Sequence, residues 1–103
     1  MNKLLAREAG FTAVFCMSDI MAVGAMRALT DAGLRVPQDI SVLGFDGIEL
    51  GQYAVPRLAT VSQPQQEIAD QSVALLLGQI EKAAPPQTRV VSTGLLEGES
   101  VAP

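Results

Sequence analysis

Three apolar runs in this chain end in polar residues suited to hydrogen-bond chemistry. Residues 12–17 lead to Ser18 and Asp19, residues 40–45 to Asp46, and residues 58–62 to Gln63. If the runs are parallel strands, these groups converge at the carboxyl ends, where open α/β sheets bind ligands. Asp46 follows a largely apolar run and precedes Gly47. Its carboxylate can accept hydrogen bonds from a ligand hydroxyl or amine, or else cap the loop backbone. Asp19 directly precedes a helical pattern and reads as a helix cap ahead of a ligand contact. Gln63 fits either ligand contact or local capping.

The same residues argue against an enzyme. The chain has no histidine, which removes Ser-His-Asp and Cys-His nucleophilic catalysis and the usual zinc sites. Cys16 is the single cysteine, so neither an internal disulfide nor a multi-cysteine metal site can form. It lies inside an apolar run and reads as inert core. Asp19 and Asp46 could be drawn as an acid–base pair, but no third group is at hand as nucleophile or proton shuttle. Gly44, Gly47 and Gly51 do not form a phosphate-cradling loop ahead of a helix. No metal and no cofactor are expected.

The elements that must position these groups follow from local pattern. Residues 2–9 read as a helix stopped by Gly10, with earlier turns cut away. Residues 12–17 form a continuous apolar run, as expected of a strand buried on both faces. Residues 20–32 read as a helix, capped by Ser18 or Asp19 and closed by Gly33, Leu34 and Pro37. Residues 40–45 make a second buried strand. Strand, crossover helix and strand within this span form a right-handed βαβ unit with parallel strands. Residues 47–57 are a loop with one short helical turn, and residues 58–62 a third strand. Pro64 suits the first helical position and Ser62 with Gln65 has capping-box spacing. The helix of 65–83 ends at Pro85 and Pro86. Residues 88–96 favour a last strand, and residues 97–103 a loose tail.

With 103 residues, 49% of them hydrophobic and 17% charged, the chain is one globular domain or a piece of one. No apolar run approaches the roughly 18 residues of a membrane span. The N-terminal apolar run is broken by charge too early for a secretion signal, so an intracellular location is expected. The net charge of −4 and the scattered basic residues give this chain no nucleic-acid surface of its own. On a helical wheel, Ile20 and Val23 fall inside the polar arc with Arg27, Thr30 and Asp31. Met21, Ala25, Ala28, Leu29 and Ala32 make the opposite, core-facing stripe. Apolar residues on the solvent side suggest a protein interface. The helix of 65–83 has an apolar arc of roughly 200°, wider than the usual stripe and in need of cover from more than one side.

Residues 18–26 (Ser-Asp-Ile-Met-Ala-Val-Gly-Ala-Met), residues 32–46 (Ala-Gly-Leu-Arg-Val-Pro-Gln-Asp-Ile-Ser-Val-Leu-Gly-Phe-Asp) and residues 56–64 (Pro-Arg-Leu-Ala-Thr-Val-Ser-Gln-Pro) are similar to a known signature. It is the C-terminal signature of the lactose-repressor (LacI/GalR) family of bacterial transcription regulators. The likeness covers residues 4–103, with long, ordered and correctly spaced motifs.

The resemblance implies an α/β fold with a parallel-sheet βαβ core. Residues 1–103 would then be a single partial effector-binding domain, part of the C-terminal lobe of a type I periplasmic-binding-protein-like fold. The DNA-binding headpiece and the N-terminal lobe lie outside it. The lobe crossover falls near 62–64, and the helix of 65–83 packs on the N-terminal lobe. Asp46 takes the place of the family's effector-binding aspartate, and Gln63 a position that faces the cleft in some members. Ser18 stands where sugar-binding relatives often carry asparagine. Val23 and Tyr53 match dimer-interface positions, and Ile20 joins them from the wheel.

The implied protein is a cytoplasmic homodimer that senses a small-molecule effector of the sugar, nucleoside or purine class. It has no membrane partner and touches DNA only through the headpiece. The alternative is one lobe of a periplasmic solute-binding protein for import. The segment 34–41 and the Ser62-Gln63-Pro64 crossover resemble the regulators more.

Overall fold

A computed structural model describes all 103 residues. The order is α1 (Asn2–Leu5), β1 (Ala13–Phe15), α2 (Asp19–Asp31), β2 (Ser41–Asp46), a 3-10 turn (Glu49–Tyr53), β3 (Ala59–Ser62), α3 (Gln65–Lys82) and β4 (Gly94–Leu96). The chain divides into two compact units, residues 1–62 with 95–103, and residues 63–94.

The first unit is the expected βαβ core. The strands lie in the order β1-β2-β3-β4, and the β1–β2 and β2–β3 pairs are parallel. Alternation along β2 sends Val42 and Gly44 to the buried side. Val42 joins Ala22, Ala25, Met26, Leu29, Ile40 and Leu58 in the core beneath α2. The end of α2 follows its sequence signals. Gly33 adopts φ +78°, its N–H donates to Thr30 O, and the Leu34 N–H donates to Leu29 O. These are the two bonds of a Schellman motif, with Leu34 packed against the cluster that contains Leu29.

Several expectations are corrected. The first helix spans only Asn2–Leu5, so Gly10 does not cap it. β1 is not buried on both faces: Phe15 is 58% exposed. Because α2 covers one side of the sheet, the other side carries an open apolar hollow of about 540 Å³ lined by Phe15, Leu43, Leu95 and Val101 among others. Phe15 and Phe45 meet edge to face, ring centroids 6.4 Å apart.

The α2 wheel is turned from its expected phase. Met21 is exposed, whereas Asp19, Ala22, Ala25, Met26 and Leu29 are buried. The Asp19 carboxylate lies on that same buried line, while Ala25 and Leu29 of the expected stripe stay inward and Ile20 stays exposed. Val23 is half-buried against the core cluster rather than on the solvent side.

In the second unit, α3 begins at Gln65 with Pro64 as N-cap, and no side-chain cap bond forms. Ser62 ends β3 instead, so the capping box is absent. The helix closes at Ala83 in the left-handed region, φ 49°. None of its residues is buried, and Val73, Leu76, Leu77 and Ile80 are exposed, so its wide apolar arc is uncovered. The last strand is confined to Gly94–Leu96.

Nor is the C-terminal segment a loose tail. Ser100 is fully buried. Its Oγ accepts from the Ala59 N–H at 2.9 Å and donates to Val42 O at 2.6 Å. The Val42 N–H donates to Ser100 O, and the Glu99 N–H to Arg57 O. A Cβ on Gly98 would lie 2.5 Å from Ala59 N and from Leu58 C, so only glycine allows this approach. Ser100→Ala leaves buried partners on β2 and β3 unsatisfied and should destabilise the fold by about 1–3 kcal/mol. Urea unfolding checks this, and an unchanged midpoint would return the segment to a passive tail.

The α2–β2 connection is tied by one exposed ion pair. Asp39 Oδ2 accepts from both the N–H and the Nε of Arg35 at 2.8 Å, and Oδ1 from Nη2 at 2.7 Å. These bonds from Arg35 hold the Asp39 carboxyl down from 3.8 to about 2. The depressed value means the pair's contribution is present above the ordinary carboxylate range and is lost as pH falls through about 2. The Asp39 carboxyl carbon should titrate by NMR near that value, and nearer the ordinary range in Arg35→Gln. Identical midpoints in the two proteins would refute the tie.

Candidate functional site

The carboxyl edge of the sheet is assembled from the ends of β2 and β3 and the start of α2. Register pairs Asp46 with Ser62, and Gly44 with Thr60. Ser18 caps α2: its Oγ accepts the Met21 N–H at 3.2 Å. A hydroxyl used this way keeps its own proton for donation.

Asp19 is neither helix cap nor exposed ligand contact. It is fully buried. Its Oδ2 accepts the N–H groups of Gly47 and Ile48, each at 2.8 Å, and its Oδ1 accepts the Thr60 hydroxyl at 2.5 Å. A buried carboxylate is tolerated only when paired or hydrogen-bonded, and here donors from two other segments meet it. Gly44 makes room, since a Cβ there would run into Asp19 Oδ1. Asp19 thereby fastens the start of α2 to the turn that follows β2 and to β3.

Asp46 ends β2 and leads into that turn. Its φ is +123°, and Gly47 follows at +80°. Residues with a Cβ seldom adopt such a φ, and functional sites are where the strain is commonly kept. Asp46 is half-buried and engaged in an interaction of its own. Gln63 opens the second compact unit, directly after Ser62 in the chain. The structure therefore brings Ser18, Asp19 and Asp46 to one edge of the first unit. The open apolar hollow on the sheet includes none of these three.

Thr60, Gly47 and Ile48 are participants that sequence reasoning missed. A signal was present in Gly44, because glycine inside a strand marks close approach of another group. Of the interface candidates, Ile20 and Tyr53 are 68% and 71% exposed. α2 packs against the 3-10 turn, where the Tyr53 hydroxyl donates to Glu49 at 2.7 Å. Val23 is only half-exposed, as described above.

A βαβ core with its polar groups at the carboxyl edge is the frame of a periplasmic-binding-protein-like lobe. The family model for the periplasmic binding protein-like domain matches residues 2–101, and the chain belongs to that family.

Its relatives are LacI-type transcriptional regulators. The chain is 43% identical over 99 residues to the HTH-type transcriptional regulator MalR of Clostridium butyricum, covering 96% of this chain and 30% of the relative. It is 45% identical over 103 residues to the HTH-type transcriptional repressor PurR of Yersinia enterocolitica, covering 99% and 30%. In structure it is similar to a transcriptional regulator CelR–cellobiose complex, TM-score 0.89, 33% identical, covering 96% of this chain and 31% of that one. The Lac repressor bound to ONPG gives TM-score 0.88 at 33% identity, covering 96% and 30%. The chain thus spans about 30% of the length of the curated relatives it matches. No helix is long and apolar enough to cross a membrane.

The strain at Asp46 is measurable. Asp46→Gly and Asp46→Ala both remove the carboxylate, but only alanine keeps a Cβ at positive φ. The glycine variant should be more stable by about 1 kcal/mol. Equal unfolding midpoints would mean the turn relaxes in solution.

Proposed function

We propose that residues 1–103 form part of the effector-binding and dimerisation region of a LacI-type transcriptional regulator. In this reading Asp46 accepts hydrogen bonds from an effector hydroxyl or amine, and Ser18 can donate to the same ligand. Gln63 contributes from the crossover between lobes. The effector is a sugar, nucleoside or purine, and its binding controls a helix-turn-helix headpiece elsewhere in a cytoplasmic dimer. The protein acts by binding and switching, without catalysis. The observation that carries this reading is Asp46 itself, a carboxylate held at positive φ on the carboxyl edge of a sheet whose relatives are regulators. Sugar effectors draw support from the neighbouring structures that hold cellobiose and ONPG.

The test begins with a thermal-shift screen of the intact regulator against cellobiose, lactose and purine bases. Asp46→Ala should then weaken the effector so found by roughly 10- to 150-fold in calorimetry, the loss of a charged acceptor worth about 1.5–3 kcal/mol. Unchanged affinity would remove Asp46 from the site.

Dimerisation through the exposed face of α2 and the 3-10 turn rests on Ile20 and Tyr53. Val23 borders that face and the core, so a charge there would disturb folding as well. Ile20→Asp is the cleaner probe, because Ile20 is already in solvent. It should shift the intact protein toward monomer in sedimentation by placing charge in an apolar contact. A dimer of wild-type strength would make Ile20 an ordinary exposed apolar residue.

A further inference from the structure

We propose that Asp19 is a positioning residue for the effector edge: with Thr60 it clamps the Asp46–Gly47 turn in its left-handed form. The functional weight of this role rests on the effector reading of Asp46, although the clamp itself does not.

The argument starts from the geometry of the turn. Asp46 and Gly47 adopt successive positive φ values, +123° and +80°. Glycine accepts this freely, whereas aspartate does not, so something must hold Asp46 there. Residues 47 and 48 aim both their N–H groups at one oxygen of Asp19, each at 2.8 Å. The other oxygen takes the Thr60 hydroxyl. Thr60 pairs with Gly44 two residues before Asp46, so the clamp also ties the end of β2 to β3. A Cβ on Gly47 would lie 2.7 Å from Ser62 Cβ, which closes the turn against β3. Asp19 is fully buried, with both of its oxygens engaged. It has no surface with which to reach a ligand, and it acts on the site only through the turn.

Charge matters to the clamp. Hydrogen bonds to an ionised acceptor are roughly twice as strong as neutral ones, and two converging N–H dipoles favour an anion. An asparagine at position 19 could still accept both N–H groups with its single oxygen, but without the charge. A valine at position 60 keeps the volume of Thr60 and loses the hydroxyl.

Site-resolved hydrogen exchange on the intact regulator, with no ligand present, tests this. Asp19→Ala should accelerate exchange at the Gly47 and Ile48 amides by about tenfold or more. Should that variant fail to fold, Asp19→Asn and Thr60→Val carry the test with smaller accelerations at the same two amides. Thr60→Ser, which restores the hydroxyl, should exchange as wild type does. Leu29→Ala supplies the control, a core truncation that lowers global stability without touching the turn. Unchanged exchange at Gly47 and Ile48 in Asp19→Asn and Thr60→Val overturns the clamp. So does an equal, uniform acceleration in Leu29→Ala. Failure of Asp46→Ala to weaken effector binding strikes a different target, the effector reading, and the two failures are read from separate measurements.

Discussion

The buried carboxylate of Asp19 is the constraint around which the first unit is arranged. A charge removed from water must be met by donors, and Gly47, Ile48 and Thr60 meet it from two segments distant in sequence. Three other features follow from that demand. Position 19 of α2 faces inward with Ala22, Met26 and Leu29. Gly44 has no side chain because the carboxylate occupies its space. The turn after β2 takes positive φ at two successive residues, which brings consecutive N–H groups to one oxygen. An apolar residue at position 19 would satisfy the core but leave those two amides without an acceptor.

Around that centre the hydrophobic layers are one-sided. Under α2 the sheet is closed by fully buried Leu29, Val42 and Leu58. On the opposite face Phe15, Leu43, Leu95 and Val101 line an open hollow. Sheets bury apolar faces against a second layer, and exposed apolar surface of this kind is otherwise a contact surface. The second unit repeats the theme: α3 carries Val73, Leu76, Leu77 and Ile80 outward with nothing buried. Each unit taken by itself has more apolar surface than its own residues cover. This agrees with a chain that matches about 30% of the length of its curated relatives.

What the sequence made legible was written in short-range chemistry. The Schellman end of α2 needs only Gly33 and Leu34 beside Leu29, and the parallel core needs only three apolar runs and one helix between them. What stayed hidden depends on distant partners. Residues 97–103 have no periodicity, yet Ser100 bridges β2 and β3 through bonds that span 41 and 58 residues. Asp19 looked like a cap because Ser/Asp before a helix is the cap signature. Ser18 takes that role, and the freed carboxylate finds donors 28 to 41 residues away. The wheel of α2 began at Ile20 and read Ala25 and Leu29 inward and Ile20 outward, as they are, but the buried line runs through Asp19, Ala22 and Met26, and Met21 is exposed. Asp46 was placed correctly at a strand end, but no local rule contains its positive φ.

On the effector reading proposed above, the two aspartates of this edge divide the work that one could not do. A carboxylate that holds a strained turn must be saturated by donors of its own protein, and then has nothing left for a ligand. A carboxylate that receives a ligand must keep acceptor capacity and access, and then cannot fix the backbone around it. Asp19 meets the first description, fully buried with both oxygens engaged. Asp46, half-buried at the end of β2 beside Ser62, is the residue proposed above for the second. Placing them one after the other, buried anchor behind half-buried strand end, lets the rigid core dictate where the backbone of Asp46 lies. In a site that recognises its ligand by hydrogen bonds alone, such placement decides selectivity, because a displaced acceptor loses the bond while still carrying its desolvation cost.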